Sequence, residues 1–306
     1  MKLDDKVIYI INKLEENGFE SYVVGGACRD YYLNRENHDI DIVTTALLDE
    51  IKDIFTDEHF VSYQKGITLG LIHNKSLIDI SSTNGKTIKE DILRRDFTIN
   101  TLLYHHDKGY IDLLNSKDDI NNKVIKAVKD PDEMILNDPI RILRAIRFEA
   151  SLNFKIDLKL EESMFKNKDL LQNIASERIK DELNKILIVD KPSIYIKKYI
   201  EIFNVILPGI ILQKDFNQHN KYHIYTVLDH TLKVLENTKN DIILRLSALL
   251  HDFDKPKYFT LDENGVGHFY GHDESSAKTA KTLLKKLRYP FKDIDRVVKL
   301  YLAKSH

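Results

Sequence analysis

Two aspartates one residue apart, Asp39 and Asp41, sit in the run Asp39-Ile40-Asp41-Ile42-Val43. Strand side chains alternate faces, so residues two apart share one, with α-carbons about 6–7 Å apart. Carboxylates placed this way can hold divalent cations, as phosphoryl-transfer chemistry requires. Upstream, Gly25 and Gly26 follow Val23 and Val24, and Arg29 and Asp30 come directly after. Paired glycines let backbone approach a phosphate closely, and a helix opening there favours an anion. Asp-X-Asp alone is usually a surface charge pair, and Gly-Gly alone is usually a turn. Their occurrence in one strand–turn–helix–strand window points to a nucleotide with Mg²⁺.

Asp79, between Ile78 and Ile80, leaves two readings open. It is a third acid facing Asp39 and Asp41, or an outward polar position on an alternating strand. The stretch Arg94-Arg95-Asp96-Phe97-Thr98-Ile99-Asn100 is expected on a helix over 87–104. Its arginines suit phosphate and its Asp and Asn suit hydroxyls, although standing alone it reads as a solvated helix face. Further on, Asp138 is expected to cap a helix, with Pro139 at its first position. Arg141, Arg144 and Arg147 recur every third residue and drift only about 60° per step, so they share one broad face. Three cations there without matching acids predict an anionic partner, a triphosphate or an RNA backbone; acids elsewhere in the fold are the plainer alternative. The last stretch gathers His223, His230, the pair His251-Asp252, His268 and His272. A His on one helix and a His-Asp pair on the next can hold a divalent metal, and a lone His is more often packed or at the surface.

Stepping outward from these residues, 306 positions suffice for two or three domains, and a hydrophobic share of 42% is that of a globular chain. The net charge of −2 carries no overall basic signature, so an RNA surface has to be a local patch. No stretch approaches a membrane span, MKLDDKVIYI lacks a signal-peptide pattern, and a single Cys28 fits a reducing cytoplasm. Strands are expected over 22–24, 39–43, 59–63, 68–73, 76–81 and 110–114, with Asn74-Lys75 as a hairpin turn. Helices are expected over 5–18, 28–33 and 45–54, and 115–123 reads as a polar connector. From about residue 125 the pattern is helical, with Ser176 as a capping-type residue, a helix over 194–203 behind Pro192, and His268 and His272 on a loop.

In this order, Gly25-Gly26-Ala27-X-Arg29-Asp30, Asp39-X-Asp41, Arg94-Arg95-Asp96-Phe97-Thr98-Ile99-Asn100, Asp138-X-X-Arg141 with Arg144 and Arg147-Phe148, and Glu177-Arg178-Ile179 make a specific set. The chain resembles the class II tRNA nucleotidyltransferase/poly(A) polymerase family, the bacterial CCA-adding enzymes of the polymerase-β superfamily. Its final third resembles an HD domain through His230 and His251-Asp252. The resemblance implies an α+β fold: a polymerase-β-like head with a mixed sheet (1–120), an all-α neck and body (121–215), and an HD-like helical module (216–306). It implies Mg²⁺-dependent addition of CCA, or of CC only, to the tRNA 3′ end from CTP and ATP, in the cytoplasm and without a membrane. Asp39 and Asp41 would bind the Mg²⁺ ions. Gly25, Gly26, Arg29, Arg95, Asp96 and Asn100 would hold phosphates and sugar. Asp138 and Arg141 would read the incoming base, and Arg144 and Arg147 would assist with phosphate and RNA. A second divalent metal would sit on His230, His251, Asp252 and His272. The alternatives are a poly(A) polymerase, or a tRNA-binding protein or HD metal phosphohydrolase with a vestigial polymerase site. The chain departs from the family at Asn137, where Glu is frequent, and at Asp254, where Gly is frequent. The segment before Arg94 is also short, with no Arg over 81–90.

Overall fold

The computed structural model describes residues 2–37, 39–63, 68–73, 76–83, 85–218 and 225–302. His38, Asn74-Lys75 and His223 lie outside the described residues. The chain divides into two compact units, 1–134 and 135–306.

The first unit carries strands β1 (Ser21–Val24), β2 (Asp39–Thr44), β3 (Val61–Tyr63), β4 (Thr68–His73), β5 (Ser76–Ser82), β6 (Leu103–His105) and β7 (Gly109–Ile111). They form one mixed sheet in the order β3-β4-β5-β2-β1-β6-β7. Strand β2 runs antiparallel to β1 and parallel to β5, and the other pairs are antiparallel. The helices are α1 (Asp5–Glu16), α2 (Gly26–Tyr32), α3 (Leu48–Ile54), α4 (Ile88–Ile92) and α5 (Ser116–Asn121). Val24, Val43, Ile88, Ile92 and Leu103 pack into one apolar cluster, so β2 is anchored by its second half. Its first half, Asp39-Ile40-Asp41, is the part that reaches solvent.

The helix expected over 87–104 is three elements: α4, a 3-10 turn at Thr98–Asn100, and strand β6. The Asp96 carboxylate accepts from Phe97 N (2.8 Å), a local bond that competes with helix. Thr98 N donates to the Lys126 carbonyl, and Leu103 pairs with Val24, so tertiary pairing overrides propensity. The expected connector over 115–123 contains α5, because Asp112 accepts from Ser116 N (2.8 Å) and Lys117 N (2.9 Å) at its start. The same turn ends β7 at Ile111, short of the expected 114. Helix α3 begins at Leu48 rather than 45, where the Glu50 carboxylate accepts from Leu47 N.

Helix α6 (Pro131–Asn137) runs across the boundary in sequence. The second unit then carries α7 (Arg141–Leu152), α8 (Leu158–Lys166), α9 (Ser176–Leu187), α10 (Pro192–Lys198), α11 (Ile200–Ile206), α12 (Val227–Glu236), α13 (Ile242–Leu250), α14 (His272–Lys286) and α15 (Phe291–Leu302). Asp138 does not cap α7 through its side chain; helix bounds begin at Arg141, and the carboxylate is engaged elsewhere. Ser176 makes no cap bond either, since Ala175 holds the capping position of α9. The expected helix over 194–203 is two, broken at buried Tyr199, whose hydroxyl donates to Glu161 (2.8 Å). His268 belongs to a short strand, Gly267–His268, and His272 opens α14, so neither lies on a plain loop. No helix among the described residues is long and apolar enough to cross a membrane.

Candidate active site and metal centres

The register of the sheet builds the first site. Asp41 pairs with Val24 of β1 on one side and with Asp79 of β5 on the other. Paired residues on neighbouring strands present side chains to the same face, so Asp79 joins the face that Asp39 and Asp41 share. This favours the first of the two readings of Asp79. One of its oxygens, Oδ1, is buried and has no hydrogen-bond partner among the described residues. Burial, then the charges of Asp41 and Asp39, push the Asp79 carboxyl up to about 6. Asp41 is also pushed up by burial, with Arg95 opposing and Asp39 adding to the push.

Strand β1 ends where the turn must pass close to these acids. Gly25 has φ +77°, and a Cβ there would lie 3.4 Å from Asp41 Oδ2 and 3.6 Å from Arg95 Nη1. The absent side chain therefore leaves room beside a carboxylate and a guanidinium. Arg95 is held by Asp91, one helical turn earlier, through Nε (3.1 Å) and Nη2 (2.9 Å) to the same oxygen. That i, i+4 spacing was visible in the sequence and marks Asp91 as the residue that aims Arg95.

Other expected phosphate ligands are built differently. Arg29, Asp96 and Asn100 are all buried. Arg29 Nη1 donates to Asn100 Oδ1 (2.6 Å), its Nε donates to Asp30 (2.8 Å), and Asn100 Nδ2 donates to Asp96 (2.9 Å). The chain Asp30–Arg29–Asn100–Asp96 ties α2 to the 3-10 turn behind the glycines. The carboxylates, Gly25 and Arg95 converge, and these three brace them.

In the second unit, Asp138 receives a two-pronged bond from Arg178, Nη1 to Oδ1 (3.0 Å) and Nη2 to Oδ2 (2.8 Å). Such a fork fixes the plane of a carboxylate. Arg147 does have a matching acid: its Nε donates to Glu182 (2.7 Å), and its guanidinium lies 4.0 Å over the Phe148 ring. The expectation of three unmatched cations on α7 is corrected there, because α7 and α9 pack side by side and α9 supplies the acid.

The histidines form a second cluster. Ligand atoms of His230, His251 and Asp252 all lie within 4.8 Å of one another. His251 Nδ1 faces the Ala248 carbonyl (2.8 Å), so Nδ1 carries a hydrogen and Nε2 is the nitrogen turned to the cluster. That Nε2 is 3.4 Å from His230 Nε2 and 3.4 Å from Asp252 Oδ2. The same oxygen accepts from Lys255 Nζ (3.1 Å), a buried cation whose i, i+3 spacing was readable in advance. His272 reaches Asp252 Oδ1 at 3.5 Å and Asp273 at 2.8 Å, while its Nδ1 faces the Phe269 carbonyl. Burial lowers the His272 pKa, but its bonds to Asp252 and the Phe269 carbonyl outweigh that and raise it. Burial likewise pushes Asp252 up, and His272, His251 and Lys255 together bring it well below the usual carboxylate range.

A mixed sheet with strand-borne carboxylates beside a glycine turn defines a nucleotidyltransferase head. Residues 21–84 and 76–126 match the family model described as the poly A polymerase head domain. Residues 153–212 match a probable RNA and SrmB-binding site of polymerase A, and 221–306 match the HD domain. A CCA-adding enzyme of Pediococcus pentosaceus is 31% identical over 278 residues, covering 79% of this chain and 70% of that one. The structure of a Bacillus stearothermophilus CCA-adding enzyme in complex with CTP superposes with a TM-score of 0.68 at 21% identity, over 98% of this chain and 70% of that one. A CCA-adding enzyme structure with ATP gives a TM-score of 0.71 at 25% identity, over 99% and 71%. The chain belongs to the family of CCA-adding enzymes.

Proposed function

We propose that the chain is a cytoplasmic tRNA nucleotidyltransferase that adds CMP and AMP units from CTP and ATP to the tRNA 3′ end. The observation that carries this reading is the position of Asp41, between Val24 and Asp79, with Arg95 and the Gly25 backbone at its carboxylate. The orphaned Asp79 oxygen and the crowding of three acids fit a divalent cation, and hard carboxylate oxygens favour Mg²⁺. When bound, the cation supplies Lewis-acid stabilisation of charge on the reacting phosphate and departing pyrophosphate. Asp39 and Asp41 would hold it, with Asp79 on the same face of the neighbouring strand. Gly25, Gly26 and Arg95 receive the triphosphate, while Arg29, Asp96 and Asn100 keep the turn rigid. The tRNA 3′ oxygen forms its bond to the α-phosphorus as the bond to the β-phosphate oxygen breaks. Pyrophosphate leaves and the hydroxyl proton passes to solvent. Asp138, steadied by Arg178, and Arg141 select the base, and Arg144 and Arg147 support phosphate and RNA. The modules of this reading are the head at 1–120, the neck and body at 121–215 and the HD-like unit at 216–306.

Incubating tRNA that lacks its end with CTP and ATP, then sequencing the products, tests the reading. CCA ends that disappear in an Asp39→Ala/Asp41→Ala double variant are expected; undiminished addition by that variant overturns it. Only five residues, 83–87, separate β5 from α4, and none is Arg. That short link makes CC-only ends the alternative product of the unaltered chain, whereas long A tails made without CTP would indicate a poly(A) polymerase. A second reading rests on the His230–His251–Asp252 cluster, a phosphohydrolase centre for a second divalent metal. Metal-stimulated phosphate-ester cleavage lost in His251→Ala supports it, and cleavage that persists there excludes it.

A further inference from the structure

The hairpin of Thr260–Leu261 and Gly267–His268 presents an aromatic pair that neither reading uses. The His268 and Tyr270 rings are stacked, 8° from parallel with centroids 5.3 Å apart. Tyr270 is nonetheless 78% exposed, so its ring stays open to a further partner. An isolated exposed Tyr needs no explanation. This one is held by a chain of bonds that begins in the hairpin turn. Asp262 Oδ1 accepts from Asn264 N and Val266 N, both at 2.9 Å, and Asp262 Oδ2 faces His268 Nε2 at 3.1 Å. That contact puts the hydrogen on Nε2 and leaves Nδ1 to accept from the Tyr270 hydroxyl (3.3 Å). On the opposite side of the strand, Phe269 packs against Phe259 (5.5 Å) and under Lys255 (5.0 Å), so the segment cannot easily turn over. Gly271, at φ +81°, then passes the chain against the Tyr258 ring into α14.

We propose that His268 and Tyr270 form a stacking platform for a nucleobase, giving the HD-like module a nucleic-acid contact of its own. A rigid ring left open has already lost the freedom a ligand would otherwise have to remove. A third parallel ring extends the existing stack, and bases stack on aromatic side chains whatever their sequence. The choice of a base over another planar group rests on the proposed action on nucleotides and tRNA. Stacking itself is independent of catalysis in the head.

The chain has no tryptophan, so Tyr270→Trp places a single indole in the platform. The full chain carrying this change is titrated with AMP, CMP, ribose 5-phosphate and tRNA while indole emission and CTP incorporation are both followed. Saturable quenching by AMP and CMP, with none by ribose 5-phosphate, is expected and identifies a free nucleotide as sufficient. Quenching by tRNA alone also supports the platform and assigns the base to RNA. No quenching by any base-bearing ligand, or equal quenching by ribose 5-phosphate, overturns it. Followed by calorimetry, because these variants carry no indole, Tyr270→Leu is expected to weaken the quenching ligand's affinity roughly 5- to 100-fold and Tyr270→Phe to leave it within about two-fold. Equal affinity in both variants is a second refutation. Full CTP incorporation without quenching rejects the platform and leaves the nucleotidyltransferase reading standing; quenching without incorporation does the reverse.

Discussion

The β2 site and the histidine cluster both gather acids, and they resolve the charge in opposite ways. At β2, Asp39, Asp41 and Asp79 crowd one face, burial pushes two of them upward, and one oxygen goes without a partner among the described residues. Arg95 is the cation that opposes the push on Asp41, and it is itself shared with Asp91. In the cluster, Asp252 is bonded to Lys255 and flanked by His251 and His272, and its carboxyl is brought down. In the first arrangement the acids push one another's pKa upward, as carboxylates gathered for a cation would. The second balances itself, and a metal there competes with Lys255 for the same oxygen. Residues that could bind a metal are thus not equally in need of one.

The largest effect is expected at the acids of β2. Asp41→Asn is expected to lower nucleotide incorporation by about 10³-fold or more, the scale of several kcal/mol of transition-state stabilisation. His251→Ala should leave incorporation within about two-fold, and a comparable loss in the two variants would dissolve the contrast. Next comes Lys255→Ala, which strands a buried carboxylate. Breaking such a pair costs about 3–5 kcal/mol, measurable by urea unfolding, and wild-type stability in this variant would mean Asp252 is balanced by something else. Arg178→Ala is expected to spread incorporation toward GTP and UTP while changing stability by under about 1 kcal/mol, since the pair is largely exposed. Unaltered selectivity would remove Arg178 from base choice.

Two smaller effects read the charges directly. Asp79 has a folded pKa raised from 3.8 to about 6, so it holds its proton more tightly when folded. It favours the folded chain at low pH, and that help is lost as pH rises from about 4 to about 6. The metal-free unfolding free energy should fall across that window, by no more than about 1 kcal/mol after solvent screening. Asp79→Asn, or added Mg²⁺, should flatten the profile; a profile unchanged by either would show that Asp79 is not strained. His272 has a raised pKa, so its contribution is full below its ordinary 6.5 and fades as pH climbs through the folded value. His272→Gln should therefore destabilise more at pH 6 than at higher pH, by thermal unfolding, with losses independent of pH arguing against a raised His272 pKa.

Much of this was legible in the chain before its fold was known, for reasons specific to each residue. Period-two alternation fixes the shared face of Asp39 and Asp41 whatever the sheet around them. Placing Asp79 needed the parallel pairing of β5 with β2, which no local pattern encodes. Residues 87–104 read as helix because Ile88 and Ile92 have helical spacing, whereas the break depends on Leu103 finding Val24 far away in sequence. The arginines of α7 looked unmatched because Glu182 lies on another helix. Asp91 and Lys255, by contrast, sit one helical turn from their partners and were readable from spacing alone.

The flanking of Asp41 by Val24 and Asp79 constrains how this chain can diverge. Adding or deleting one residue within β2 would swing at least one of its aspartates to the far side of the sheet and undo the site in a single event. Length variation is tolerable only outside that strand, such as in the turn before it or in the link from β5 to α4. A lineage could lengthen or trim those connections to retune which nucleotides are joined while the six residues of β2 stay fixed in number.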